Sequence, residues 1–161
     1  MIKPEIEKEL GRSVNQLFLE IDPVPIASAS LAQVHAARMP NGTQVIVKVL
    51  RPGIEEVIKL DLDILYDLAQ LAEERTSLGN RYDLMDLAEE FSFALKEELD
   101  LRREGRNADR FRRNFAGQDT MYIPKVYWEY TTRRVLVLER ISGIKINDLD
   151  ALDDNGYDRK R

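Results

Sequence analysis

Lys48 lies inside Val45-Ile46-Val47-Lys48-Val49-Leu50, a run too β-branched for a helix and too apolar for a surface loop. The run predicts a strand buried on both faces, where an ammonium is costly unless it meets an anion. Two readings are open: the lysine stem runs to the strand edge and keeps its head in water, or the head binds a carboxylate or a phosphate. Two carboxylates two residues apart on a helix point about 200° from each other, so Glu98 and Asp100 cannot serve one ion together. Glu104 falls on the shoulder of an apolar stripe made by Leu87, Ala94, Leu101, Gly105 and Ala108. Gly105 beside it lets another backbone come close. Wheel position leaves Glu104 open between Lys48 and an i,i+4 surface pair worth a few tenths of a kcal/mol.

Other chemistries are excluded by what the chain lacks. It has no cysteine and one histidine, His35, which removes disulfides, thiolate metal sites and multi-histidine metal sites and leaves a Ser-His-Asp triad only if His35 alone served it. His35 follows Val34 and precedes two alanines, and reads as a satisfied strand histidine because no acidic partner lies at local spacing. The 161 residues make one domain, with 43% hydrophobic and 33% charged residues as in an ordinary soluble protein. A net charge of −5 and arginines without interleaved aromatics argue against nucleic acid as a partner. Arg102, Arg103, Arg106, Arg110, Arg112 and Arg113 read first as solvated helix and second as a face for an anionic membrane surface. No apolar run approaches the roughly 20 residues of a membrane span, and the acidic, helical N-terminus is no signal peptide. The chain as written is expected to be cytoplasmic.

These residues must be positioned by an α+β arrangement. Ile6, Leu10, Val14, Leu17, Phe18 and Ile21 form a helical face over an N-terminal segment, 1–22, which Gly11 splits and Ser13 with Gln16 restarts as a capping box. Ala27, Ala29 and Ala32 repeat the i, i+2, i+5 spacing of glycine loops that admit phosphate oxygens to backbone N–H groups. Alanine keeps much of that access but loses easy positive φ, so the loop is expected to be stiffer. The Gln33-Val34-His35 strand, the Pro40-Asn41-Gly42 turn and the lysine strand follow. One helix is expected from about Ile54 to Leu78 with a stop at Gly79-Asn80. Its stripe of Val57, Leu60, Ile64, Leu65, Leu68, Leu71 and Ala72 needs a partner surface. A second helix is expected from near Asp83 to about Phe115, and a turn at Gly117-Gln118-Asp119. A strand at 126–130, a hairpin at Thr131-Thr132-Arg133 and a return strand at 134–139 complete an antiparallel sheet of about five strands.

The alanine loop, Val47-Lys48-Val49, Arg51-Pro52-Gly53, Glu97-Glu98-Leu99-Asp100, Arg103-Glu104, Tyr122-Ile123-Pro124 and Leu138-Glu139-Arg140-Ile141-Ser142-Gly143 together resemble the UbiB-type (ABC1) atypical kinase-like family. The likeness covers nearly the whole chain and is strongest to the bacterial branch linked to ubiquinone biosynthesis. It implies a kinase-like N-lobe over 23–143, with an inserted helix at 54–79 and the start of a linker to a C-lobe at 144–161. It also implies ATP or ADP with Mg²⁺. Ala27, Ser28, Ala29, Ser30, Leu31 and Ala32 would cover the phosphates, Lys48 would contact them, and Glu104 would orient Lys48. Leu138 would be the gatekeeper, with the backbones of Glu139 and Ile141 facing adenine and Gly143 turning the chain away. Glu98 and Asp100 match an acidic regulatory motif that meets a K-x-G-Q extension in the family. No K-x-G-Q occurs here, which leaves both carboxylates without that partner. The family's catalytic loop and metal-binding aspartate follow the hinge, and nothing after Gly143 supplies them, so the chain alone is expected to be catalytically inactive. Quinone precursors or ubiquinone-biosynthesis proteins would be clients of a parent at the cytoplasmic face of the inner membrane. The rival reading is a non-catalytic module that docks on membrane or a protein through the arginine face.

Overall fold

The β-branched lysine run becomes the central strand of a sheet in the computed structural model, which describes residues 2–75, 83–118 and 120–157. This strand, β4 (Gln44–Leu50), pairs antiparallel with β3 (Ala32–Arg38) on one side and β5 (Val135–Glu139) on the other. Two short strands, β1 (Glu20–Ile21) and β2 (Ala27–Ser28), pair with opposite ends of β3 and complete five antiparallel strands. Gly42 closes the β3–β4 turn with φ 87°, a conformation open to glycine at little cost.

The two faces of the sheet are covered differently. Val45, Val47, Val49, Val135 and Val137 are fully buried on the first face, in one cluster with Ile6, Leu17 and Phe18. That cover comes from α1 (Lys3–Leu10) and α2 (Val14–Leu17). Gly11 ends α1 at φ 64°, and the Ser13 N–H donates to Gln16 Oε1 at 3.1 Å as α2 begins. The second face is covered only in part. Leu50 and Leu136 are buried under helices, whereas Ile46 and Lys48 are half-buried. The strand is therefore not buried on both faces throughout, because side chains alternate and the helices reach only part of the second face.

The helices on that second face are α3 (Ile54–Arg75), α4 (Leu84–Glu98) and α5 (Leu101–Asn114). The expected end of the first near Leu78, with Gly79-Asn80 as its stop, lies outside the described residues, as does Asp119 of the expected turn. The single helix expected from Asp83 to Phe115 is two helices. Asp100 caps the second, its carboxylate accepting from the Arg102 N–H at 3.0 Å. Leu99 and Leu101 flank the break and are both buried, so the apolar pattern runs across it unbroken. On α3 the buried residues are Ile58, Leu62 and Ala69, while Val57, Leu60, Ile64, Leu68 and Leu71 of the expected stripe face outward. A short α6 (Leu149–Asp154) follows the hinge, capped by Asp148.

The strand expected at 126–130 is also different. Val126 makes a single bridge to Leu138, and Trp128–Tyr130 turn into a 3-10 helix. The Thr131 hydroxyl donates to the Tyr127 carbonyl at 2.9 Å and accepts from the Val137 N–H at 3.2 Å, taking over bonds that a ladder would have made.

Arg134 binds these layers together. It is 13% exposed, and its guanidinium reaches Glu55 of α3 at 2.7 Å and Glu5 of α1 at 2.9 Å. Gly105 admits side chains rather than another backbone: a Cβ there would stand 3.0 Å from Trp128 Cη2 and 3.3 Å from Leu136 Cδ1. Gly105→Leu is expected to push α5 off the sheet and lower unfolding stability by about 1–3 kcal/mol, the range for overpacking. Urea denaturation checks this, and an unchanged midpoint would contradict the packing described.

Candidate functional site

Lys48 emerges on the half-covered face of the sheet, opposite Val34 on β3 and Leu136 on β5. Its Nζ donates to Glu104 Oε2 at 2.5 Å, joining positions 56 residues apart. Glu104 is presented by the first turn of α5, which the Leu101 N–H ties to the Arg133 carbonyl at 2.8 Å. Trp128 Nε1 donates to Asp109 Oδ2 at 2.7 Å and fixes α5 a little further along. The two side chains are 27% and 46% exposed, so screening leaves the pair worth only about 0–1 kcal/mol. Its chief effect is geometric, because an ammonium is held at a set place on the half-covered face of the sheet.

The alanine loop is the tip of the β2–β3 hairpin, beside the part of β3 that pairs with Lys48. Ala27 opposes Val34, Ser28 opposes Gln33, and the Ala29 N–H donates to the Ala32 carbonyl at 2.9 Å. Ala27, Ser28, Ala29 and Ser30 are exposed and Leu31 is half-buried. Ala32 is 2% exposed and packs in the core, so it offers the loop only backbone. No described residue other than glycine has positive φ, so the alanines need none of the conformations that glycine would have allowed. Arg51 holds the loop down: its guanidinium donates to the Ser28 hydroxyl at 2.7 Å and twice to the Ala29 carbonyl, at 3.0 and 3.1 Å.

In the sequence Arg51 stands only within the Arg51-Pro52-Gly53 motif, with no role attached to it. Its partners are 22 and 23 residues away, beyond any local spacing rule. Val34, Ala36 and Ile46 were also missed. Ala36 opposes Ile46, which opposes Leu138, and with Val34 they share the face that carries Lys48. Strict alternation from Lys48 would have found them.

At the hinge, Leu138 is half-buried. The Glu139 N–H donates to the Lys125 carbonyl at 2.9 Å, and the Arg140 N–H donates to the Gln44 carbonyl at 3.2 Å. The Ile141 N–H takes no backbone acceptor among the described residues. The Glu139 carboxylate accepts from the Tyr122 hydroxyl at 2.6 Å, and this bond raises the phenol's pKa above its ordinary value. Gly143, where the chain was expected to turn away, is exposed and has open space around its Cα.

Asp100 is not unpaired. Arg102 donates to both its oxygens, at 2.8 and 2.9 Å, and Arg106 lies 4.0 Å away. The Arg102 bond holds its carboxyl below the usual aspartate range. Glu98 is exposed, and the neighbouring Glu97 takes Arg103 in an ion pair. With Arg112 3.9 Å from Asp109, much of the arginine face is neutralised within the chain. His35 is 1% exposed and donates through Nδ1 to the Asp22 carbonyl at 2.8 Å, a strand histidine held from one side. Among the described residues no three His, Cys, Asp or Glu side chains converge to hold a metal ion, and no helix is long and apolar enough to cross a membrane.

Two outcomes follow from these bonds. Arg51→Ala is expected to speed amide exchange at Ala29 and Leu31 while leaving β4 protected, measured by hydrogen exchange; equal rates in both proteins would rule out the clamp. Because the Asp100 pKa is lowered on folding, its contribution is present above about pH 4, the ordinary aspartate range, and is lost as pH falls through the lowered value. The stability gap between the native chain and Asp100→Asn should be flat near neutrality and close below about pH 4, as read by thermal unfolding across pH.

The sequence profile of the ABC1 atypical kinase-like domain matches residues 1–161. A relative named "Probable protein kinase UbiB" from Marinobacter nauticus is 49% identical over 96% of this chain, and its namesake from Azotobacter vinelandii is 45% identical. An uncharacterized protein of Synechocystis sp. is 46% identical. The chain spans only 28% and 29% of the two UbiB relatives and 26% of the cyanobacterial one. Among solved structures, Rv3197 of Mycobacterium tuberculosis, determined with erythromycin, superposes with a TM-score of 0.76 at 25% identity over 89% of this chain and 36% of its own. That likeness agrees with a kinase-like α+β fold built on a five-stranded antiparallel sheet, and the chain belongs to the ABC1 atypical kinase-like family.

Proposed function

We propose that this chain is the nucleotide-binding lobe of an atypical kinase or ATPase. The observation that carries the reading is the Lys48–Glu104 pair, an oriented cation of little stabilising value, next to a hairpin whose exposed tip is clamped by Arg51. Lys48 would hold the phosphates of ATP or ADP while Glu104 keeps its ammonium in place. The exposed backbone of Ala27–Leu31 would close over the phosphates. Val34, Ala36, Ile46 and Leu138 would form the apolar roof for adenine, with the Glu139 carbonyl and Ile141 N–H at its edge. Mg²⁺, when bound, would neutralise phosphate charge, and its ligands would come from outside the described residues.

The activity of the whole protein is a further step. The UbiB names of the relatives support a role in ubiquinone biosynthesis, with isoprenoid quinone precursors or their enzymes as clients, at the cytoplasmic face of the inner membrane. Phosphoryl transfer or ATP hydrolysis would be completed by the part of the parent that this chain does not span.

The test is thermal unfolding of this chain with and without millimolar ATP and Mg²⁺. The native chain is expected to be stabilised, by about 1.4 kcal/mol when ligand stands tenfold above Kd. Lys48→Ala should lose the shift. Glu104→Gln should weaken it while costing under about 1 kcal/mol of stability without ligand. No shift, or one of equal size in Lys48→Ala, would overturn the reading.

A further inference from the structure

We propose that the outer face of the α3–α4 hairpin is a docking groove for a separate protein that presents a basic amphipathic helix. Val57, Leu60, Ile64, Leu68 and Leu71 are between 44% and 63% exposed. At ~100° per residue they fall within an arc of about 80°, a straight apolar seam roughly 20 Å long. On α4, Leu87 is 61% and Phe91 54% exposed. The two helices meet in an open groove of about 450 Å³, lined by Leu65 and Leu68 from one and by Leu84, Leu87 and Phe91 from the other, with no charged side chain in its lining. A contiguous apolar face of this kind on a helical hairpin marks an interaction site rather than scattered surface leucines.

The rims of the groove identify the partner's chemistry. On α3 the side turned away from α4 carries Asp63, Asp67 and Glu74, and on α4 the side turned away from α3 carries Asp86 and Glu90. All five are exposed. Lys59 and Lys96 lie on the far sides of their helices, and Arg75 stands at the end of the seam. An apolar floor between two acidic borders fits a helix with apolar residues at i, i+4, i+7 and lysines or arginines on both flanks. The same borders repel an anionic membrane. A second copy is disfavoured because the basic helix of this chain, α5, already commits arginines to Glu97, Asp100 and Asp109. The inference is independent of the nucleotide reading.

The test uses two synthetic helical peptides with leucines at i, i+4, i+7 and i+11, one flanked by lysines and one by glutamates, in fluorescence anisotropy with this chain. The lysine peptide is expected to bind at least about tenfold more tightly, and to weaken with salt. Leu68→Ser with Phe91→Ser, and separately Asp63→Asn with Asp67→Asn, should each weaken it at least about fivefold. These positions are exposed, so circular dichroism should show unchanged helices in both variants. Equal binding of the two peptides, or binding unmoved by either pair, would overturn the proposal. Three further results would overturn it by giving the face another occupant. They are Leu68- and Phe91-dependent binding to phosphatidylglycerol vesicles, a dimer in sedimentation lost in that variant, and loss of peptide binding in the full-length parent when the chain itself binds.

Discussion

A cation carried in the middle of a mostly buried strand sets the terms for this structure. Lys48 can sit between Val47 and Val49 only because alternate residues of β4 face different surroundings. The valines close against the N-terminal helices, and the lysine faces the half-covered side, with a carboxylate 2.5 Å away. Shifting the register of β4 by one residue would exchange the two sets, burying the ammonium under α1 and α2 without a partner.

The other elements can be understood by what they do for that arrangement. The N-terminal segment covers one face so completely that β4 reads as apolar on both sides. The second face is covered in part by α3, α4 and α5, and α5 brings Glu104 to Lys48 there. Gly105 permits that approach by leaving room for Trp128 and Leu136, and the Leu101–Arg133 backbone bond fixes where the helix begins. Arg134 then ties α1 and α3 to the sheet through Glu5 and Glu55, so the covers on both faces share one guanidinium. The Lys48–Glu104 pair contributes little to this stability. The scaffold holds the pair, rather than the pair the scaffold.

The alanine loop illustrates a different division of labour. Glycine loops reach phosphate through conformational freedom. Here the alanine loop has ordinary backbone angles, and order is supplied by Arg51, a side chain from the end of the lysine strand. The same strand therefore carries the paired lysine and leads directly into the group that fixes the neighbouring loop.

Periodicity and residue type by themselves determined the three long strands, the N-terminal helical pair, the turn at Gly42 and Lys48 as the residue whose head must find water or an anion, because these depend on alternation, caps and local backbone preference; β1, whose Ile21 was expected on a helical face, and β2, expected as loop, were not legible in that way. The motifs from the alanine loop to the hinge determined the family in the same local way. Tertiary structure decided what depends on distance along the chain. Helical position left Glu104 open between Lys48 and a surface pair, the family motif implied the Lys48 pair, and α5 brings the two together; Arg51 was part of a motif without a role until its contacts with Ser28 and Ala29 appeared. The break at Asp100 was hidden because Leu99 and Leu101 keep the apolar pattern intact on both sides of it. The threonines at 131 and 132 turned an expected strand into a 3-10 turn by taking backbone partners. The stripe on α3 was legible as apolar, but only its packing against α4 decided which leucines are core and which are surface. Sequence pattern reports the environment each residue requires, and the fold decides which distant group supplies it.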